Sequence, residues 1–91
     1  MEKKTKCYYF YVLQCCDQTL YSGFTVDLAK RLKVHNQGKG AKYTRARRPV
    51  KLIYHECFST KRAALQKEYA FKQLKRKQKL KYLHEQGIVI E

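Results

Sequence analysis

The first part of the chain alternates hydrophobic side chains as extended strands do. Residues 7–15 are rich in aromatic and β-branched types, and residues 19–24 follow after a short polar turn. This composition favours strands, and the short connection predicts a β-hairpin. Odd-numbered residues within 9–13 then share one face of the first strand, and even-numbered residues within 8–12 share the other.

A helical pattern follows the hairpin. Thr25 or Asp27 can cap the first turn by accepting backbone N–H bonds. Leu28 and Leu32 lie at i and i+4, which predicts a stripe facing the core. The sequence Asn-Gln-Gly at 36–38 is typical of a helix end.

The second half of the chain repeats this order. The pattern predicts a loop over 38–49, a strand over 50–58, a helix over about 61–75 capped by Ser59 or Thr60, and a short helix over about 78–86. The short helix should bury Leu80 and Leu83. The longer helix should present an apolar side made of Ala64, Leu65, Tyr69, Phe71 and Leu74.

The resulting order is ββαβαα, which predicts an α+β fold with a three-stranded antiparallel sheet flanked by helices. Residues 7–86 are expected to form a single domain, preceded by a flexible basic tail over 1–6. A C-terminal tail over 87–91 follows, and its apolar residues suit either a closing strand or a packed extension.

The charge of the chain indicates a polyanionic partner. Its 91 residues include 21 Lys and Arg against 7 Asp and Glu, for a net charge of +14. Such an excess is typical of domains that bind nucleic acid, although ribosomal or membrane-surface proteins carry similar charge. The longest apolar runs are far shorter than the ~20 residues of a spanning helix. The first residues lack a signal-peptide pattern, so we expect a cytoplasmic location.

The four cysteines form no metal-binding spacing. They lie at positions 7, 15, 16 and 57 without a C-x-x-C pair. Adjacent cysteines in a strand point to opposite faces, which suits neither a zinc knuckle nor an ordinary disulfide. We therefore expect reduced thiols, some of them in the core.

Two short tyrosine motifs, an arginine, a basic loop and a glutamate stand at characteristic positions. Tyr9-Phe10-Tyr11 precedes Tyr21-Ser22-Gly23, with Tyr11 and Tyr21 ten residues apart, and Arg31 lies eight residues after Gly23. Glu68 follows in the later helix, and the loop 38–45 reads GKGAKYTR. Over residues 8 to about 80 the chain resembles the GIY-YIG nucleases, in particular their small, stand-alone, single-domain bacterial branch.

This resemblance implies a metal-dependent endonuclease that hydrolyses phosphodiester bonds. Glu68 would hold one Mg²⁺ or Mn²⁺, and Arg31 would bind phosphate oxygens with its planar fork of donors. Either Tyr11 or Tyr21 would act as general base, provided that both project from the same face of the hairpin. His35, one helical turn after Arg31, would relay a proton or touch phosphate.

The resemblance and the charge together predict a nucleic-acid surface. The expected partner is nucleic acid, with DNA favoured, and neither a membrane nor an obligate protein partner is expected. Gly23 is assigned a structural role, a close backbone approach or a twist at the strand end. The residues expected to contact nucleic acid are Lys39, Lys42, Tyr43, Arg45, Arg47, Arg48 and Lys72.

Two rival functions follow from the same residues. Many family nucleases carry a late asparagine, whereas this chain has none after Asn36. A non-catalytic or weakly active nucleic-acid-binding module on the same fold is therefore the alternative. A basic assembly protein without any site is the third hypothesis, and the combination of Tyr11, Tyr21, Arg31 and Glu68 argues against it.

Overall fold

Strand β1 (Tyr8–Gln14) is the centre of the fold. The computed structural model describes residues 7–89. In it β1 pairs antiparallel with β2 (Leu20–Thr25) on one side and with β3 (Lys51–Phe58) on the other. The sheet order is β2-β1-β3. The predicted α+β fold with a three-stranded antiparallel sheet is confirmed.

The two faces of β1 support two separate hydrophobic cores. Phe10 and Val12 are fully buried on one face, where Phe71 and Leu83 pack against them. On the opposite face Tyr11, Leu13, Cys15 and Val50 form the second core. The alternation predicted from the sequence is confirmed. It also explains the aromatic composition of β1, because a central strand covered on both faces has no solvent side.

Helix α1 (Leu28–Asn36) covers the Tyr11 face of the sheet. It begins at the cap Asp27, whose carboxylate accepts a hydrogen bond of 3.0 Å from the backbone N–H of Lys30. Leu28 and Leu32 pack against the second core, as predicted. At the other end, the Asn36 side chain donates to the carbonyl of Val50 and accepts from its N–H, at 3.0 and 2.8 Å. Asn36 thereby ties the end of α1 to the start of β3.

Three further helices complete the domain. A loop is predicted over 38–49, but residues Lys42–Arg45 form a short helix, α2. Helix α3 spans Lys61–Lys72 and is capped by Thr60. Helix α4 spans Arg76–Glu85, beginning two residues earlier than predicted because the Gln78 side chain accepts a bond from the backbone N–H of Lys75.

The predicted apolar side of α3 is wrong in part. Ala64 and Phe71 are buried as expected, whereas Leu65 is 41% exposed and Tyr69 is 69% exposed. The sheet is faced by the row of Ala64, Glu68 and Phe71, at helical spacings of four and three residues. The small side chain of Ala64, fully buried, lets the helix approach the sheet closely along this row. Leu65 and Tyr69 lie on the next row outward.

The prediction of four reduced cysteines is wrong for two of them. Cys7 and Cys57 form a disulfide, with their Cα atoms 5.5 Å apart. The cause is the pairing of β1 with β3, which sets Tyr9 opposite Cys57 and so brings the residue before β1 beside the end of β3. Cys15 and Cys16 are free, one buried and the other exposed, as the sequence predicts.

Ile88, near the C-terminal end of the described residues, extends the first core. Ile88 packs against it, and no strand forms over 87–89, so a packed extension describes this segment better than a closing strand. Residues 90–91 and the predicted basic tail over 1–6 lie outside the described residues. Across 7–89, no helix has the length and apolar character needed to cross a membrane.

The helical register of α3 predicts a contrast between two neighbouring aromatic residues. Phe71→Ala should lower the free energy of unfolding by about 3–5 kcal/mol, because it opens a cavity in the first core. Tyr69→Ala, the matched control, should change it by no more than about 0.5 kcal/mol. Urea unfolding followed by circular dichroism measures both. Similar losses in the two variants would contradict the register.

Candidate functional site

The hydroxyl of Tyr11 is the meeting point of the candidate site. Tyr11 lies on the α1 side of β1 and is 2% exposed. Its Oη is 3.0 Å from Nε2 of His35 and accepts a longer bond, 3.4 Å, from Nε of Arg31. The two residues from α1, one turn apart, therefore converge on one phenol from the sheet.

Gly23 makes room for this phenol. It lies directly opposite Tyr11 in the antiparallel register. A Cβ at position 23 would be 2.5 Å from Tyr11 Oη and 2.7 Å from Cζ, closer than atoms of a buried ring tolerate. This is the close approach expected of Gly23 from the sequence.

The hydrogen bonds around His35 fix its tautomer. The hydroxyl of Thr44 donates to the carbonyl of Ala41 at 3.0 Å, and Thr44 Oγ1 is 2.8 Å from Nδ1 of His35. Because a hydroxyl has one proton to donate, Nδ1 of His35 must carry the proton of the second bond. Nε2 of His35 is then the unprotonated nitrogen, and it accepts the hydrogen bond from Tyr11.

The loop after α1 encloses His35. Gly40 passes so near the ring that a Cβ there would be 2.4 Å from Nδ1 of His35. Thr44, on α2, is fully buried. The sequence predicts only a turn role for Gly40 and no role for Thr44. Both residues contact His35 only because the loop folds back over α1, which local sequence does not reveal. The segment with the motif GKGAKYTR therefore seals the proton acceptor from one side.

Burial holds both groups in their neutral forms. Burial, together with the neighbouring charge of Arg31, lowers the pKa of His35 from 6.5 to about 4. Burial raises the pKa of Tyr11 above 10.0, although the hydrogen bond and charge of Arg31 oppose this change. At neutral pH Tyr11 thus keeps its proton, and His35 offers a lone pair to it.

Tyr21 stands beside this pair. It lies opposite Leu13 in the register, so Tyr11 and Tyr21 project from the same face, as the assignment of a tyrosine base requires. The Tyr21 ring is 5.3 Å from the ring of His35 between centroids. It is less buried than Tyr11, and the ammonium of Lys72 lies 5.7 Å from its centroid.

Glu68 brings a negative charge to the same region from α3. Its carboxylate pairs with Lys72 at 2.8 Å, and the Glu68 side chain is 18% exposed. The charge of Glu68 is one of the influences that raise the pKa of Tyr11, so the two groups are within electrostatic reach. Four of the elements, β1, β2, α1 and α3, thus supply the five residues predicted as catalytic: Tyr11, Tyr21, Arg31, His35 and Glu68.

Four of the predicted nucleic-acid contacts are engaged within the protein: Tyr43, Arg47, Arg48, which donates to the carbonyl of Arg45, and Lys72, which pairs with Glu68. Arg47 forms an ion pair of 3.0 Å with Asp17 and donates to the carbonyl of Tyr43 at 2.9 Å. Its guanidinium lies 3.9 Å from the centroid of the Tyr43 ring, which also stacks on Tyr21 at 6.1 Å. Tyr43 remains 38% exposed. The exposed cations of this segment are Lys39, Lys42, Arg45 and Arg48.

The chain is similar in sequence to a known family of domains and to several bacterial proteins. The GIY-YIG catalytic domain pattern matches residues 7–81. A UPF0213 protein of Bacillus pumilus is 62% identical over 88 residues, 97% of this chain and 88% of the relative. The UPF0213 protein YazA of Bacillus subtilis is 57% identical over 82 residues, 90% of this chain and 83% of the relative.

Two solved structures are similar as well. The solution structure of a protein from E. faecalis is 52% identical, with a TM-score of 0.61, over 92% of this chain and 88% of that one. The solution structure of a UPF0213 protein from Bacillus halodurans is 41% identical, with a TM-score of 0.58, over 86% of this chain and 83% of that one.

The environment of His35 predicts an acid-sensitive fold. The unfolded chain binds a proton near pH 6.5, whereas folded His35 does so only near pH 4. The contribution of His35 to the free energy of unfolding should therefore be fully present above pH 6.5 and fall by up to about 3 kcal/mol as the pH drops to 4. Below pH 4 protonation of His35 should cause no further loss. The His35 ring carbons, followed by NMR, should titrate near pH 4, and urea midpoints should lose this pH dependence in His35→Gln. A His35 titration near 6.5 would contradict the site geometry.

Proposed function

Because this chain belongs to the GIY-YIG catalytic domain family, we propose that it is a metal-dependent nuclease that hydrolyses phosphodiester bonds, with DNA as the favoured substrate. The family match confirms the resemblance drawn from the motifs. The observation that carries the proposal is the convergence of Arg31 and His35 on the hydroxyl of Tyr11, with Glu68 within electrostatic reach.

Hydrolysis requires that an attacking water lose a proton. In the proposal Tyr11 takes this proton and passes its own to Nε2 of His35, along a hydrogen bond of 3.0 Å. Tyr11 is favoured over Tyr21 because it has this acceptor, whereas the Tyr21 hydroxyl makes no hydrogen bond within residues 7–89. The bond from His35 to Thr44 keeps the imidazole oriented for the transfer.

The attacked phosphate gains negative charge as the reaction proceeds. Arg31 uses Nε for Tyr11, and within the described part of the chain its two terminal amino groups make no hydrogen bond. Both are therefore available to phosphate oxygens in the bidentate manner of guanidinium groups. The partly buried position of Arg31 strengthens this electrostatic contribution relative to one made in water.

The proposal assigns a single divalent cation to Glu68. Among residues 7–89 no three His, Cys, Asp or Glu side chains are grouped for metal binding, and Glu68 is the carboxylate that lies near Tyr11. Mg²⁺ is commonly held by one or two carboxylates, with substrate phosphate and water completing the shell. Such an ion, Mg²⁺ or Mn²⁺, would polarise the phosphate and stabilise the leaving oxygen when bound at Glu68.

A nucleic-acid-binding module without strong cleavage is the second candidate. Glu68 is already paired with Lys72, which competes with any cation for the same carboxylate. The excess of basic residues suffices for salt-sensitive binding of phosphate backbones in either case. The two candidates differ in whether metal stimulates cutting.

Cleavage of labelled DNA and RNA tests the nuclease proposal. Wild-type protein should cut at least one of single-stranded, duplex, flap or branched substrates only with Mg²⁺ or Mn²⁺. Glu68→Gln and Arg31→Ala should each lower the rate roughly 100-fold or more, and Tyr11→Phe more than Tyr21→Phe. Glu85→Gln, an exposed glutamate on α4, should match wild type. Binding of nucleic acid without metal-stimulated cutting would reject the nuclease proposal in favour of the binding module.

The ion pair of Glu68 predicts a change in metal affinity. Lys72→Met should tighten Mn²⁺ binding roughly five-fold without nucleic acid. The substitution removes an ion pair worth about 1 kcal/mol or less, which the metal must otherwise break to reach Glu68. Electron paramagnetic resonance of free Mn²⁺ measures this. Lys81→Met, an exposed lysine on α4, controls for the net charge, and Glu68→Gln should abolish the effect. Equal tightening in both lysine variants would refute a metal site at Glu68.

A further inference from the structure

The outward row of α3 combines apolar and basic side chains. Arg62, Leu65, Tyr69 and Lys72 follow one another at helical spacings of three and four residues, so they share one side of the helix. Tyr69 is 69% exposed, Leu65 is 41% exposed, and the side chain of Lys72 is 45% exposed. An exposed tyrosine and leucine one turn apart form a local apolar surface between two cations.

This row borders the candidate site. Glu68 lies on the row next to it, between the buried residues Ala64 and Phe71 and the exposed Tyr69. Lys72 belongs to the outward row and reaches both the Glu68 carboxylate and the ring of Tyr21. A ligand on the row would therefore continue directly into the site.

We propose that the row of Arg62, Leu65, Tyr69 and Lys72 is a docking surface for single-stranded nucleic acid, with an unpaired base stacked on the Tyr69 ring. The inference deepens the proposed function and depends on it for the position of the cleaved phosphate. It assigns the substrate class as a strand that is unpaired beside the cleavage point, such as a flap or branch.

The chemistry of the row favours this occupant over others. An aromatic face stacks on any base, and flanking cations contact the backbone phosphates, which is the usual combination in single-strand binding. A duplex keeps its bases stacked on one another and offers none to Tyr69. A second copy of this chain is disfavoured because each copy carries a net charge of +14.

The test measures binding rather than cleavage. In a Glu68→Gln background without metal, affinities for a single strand and for a blunt duplex of the same sequence are compared, with 2-aminopurine fluorescence reporting stacking. Tyr69→Ala should weaken single-strand binding at least about fivefold and abolish the fluorescence quenching, with less than about a twofold effect on duplex. Tyr69→Phe, which retains an aromatic face, should restore both.

Three results overturn the inference. Unchanged single-strand affinity in Tyr69→Ala, or an equal loss for both substrates, removes the base-stacking surface. Loss of a concentration-dependent dimer in that variant, seen by sedimentation without any effect on nucleic acid, assigns the row to a second copy. If wild type cuts while one of these results is found, only the docking surface is rejected and the nuclease proposal stands. If Tyr69→Ala weakens single-strand binding but wild type does not cut, the docking surface stands and the nuclease proposal is rejected.

Discussion

The hydrogen bond from Tyr11 to His35 is the interaction on which the arrangement of the site depends. It joins the central strand to α1 through two buried side chains, and its direction is fixed by the bond from His35 to Thr44. Loss of any partner would leave a buried polar atom unsatisfied, which costs more than an ordinary hydrogen bond contributes. Positions 23 and 40 both hold glycine, and a larger residue at either would collide with the phenol of Tyr11 or the imidazole of His35.

The parts of this arrangement that sequence could predict rest on local chemistry. Alternation over β1 and the cap at Asp27 define a strand and a helix without reference to the rest of the chain. Once the hairpin register is correct, Tyr11 and Tyr21 must share a face. The helical spacing of Arg31 and His35 then brings both side chains to the same phenol.

What sequence could not predict depends on contacts between distant segments. Thr44 orients His35 only because the loop after α1 folds back and forms α2. Leu65 and Tyr69 have the same spacing as a buried stripe, and only docking on the sheet decides which row of α3 is covered. The disulfide of Cys7 and Cys57 likewise depends on the pairing of β1 with β3, which local patterns do not encode.

Electrostatics connects the site to the charge of the whole chain. Glu68 is a carboxylate in a strongly basic protein, and its partner Lys72 neutralises it when no ligand is bound. In the proposed function a polyanion offers Lys72 a second partner, and a bound phosphate adds ligand oxygens beside Glu68. Each change favours a cation at Glu68, and by linkage the cation favours the polyanion equally. Nucleic acid and metal should therefore bind cooperatively, because a phosphate that pairs with Lys72 frees the Glu68 carboxylate for the cation.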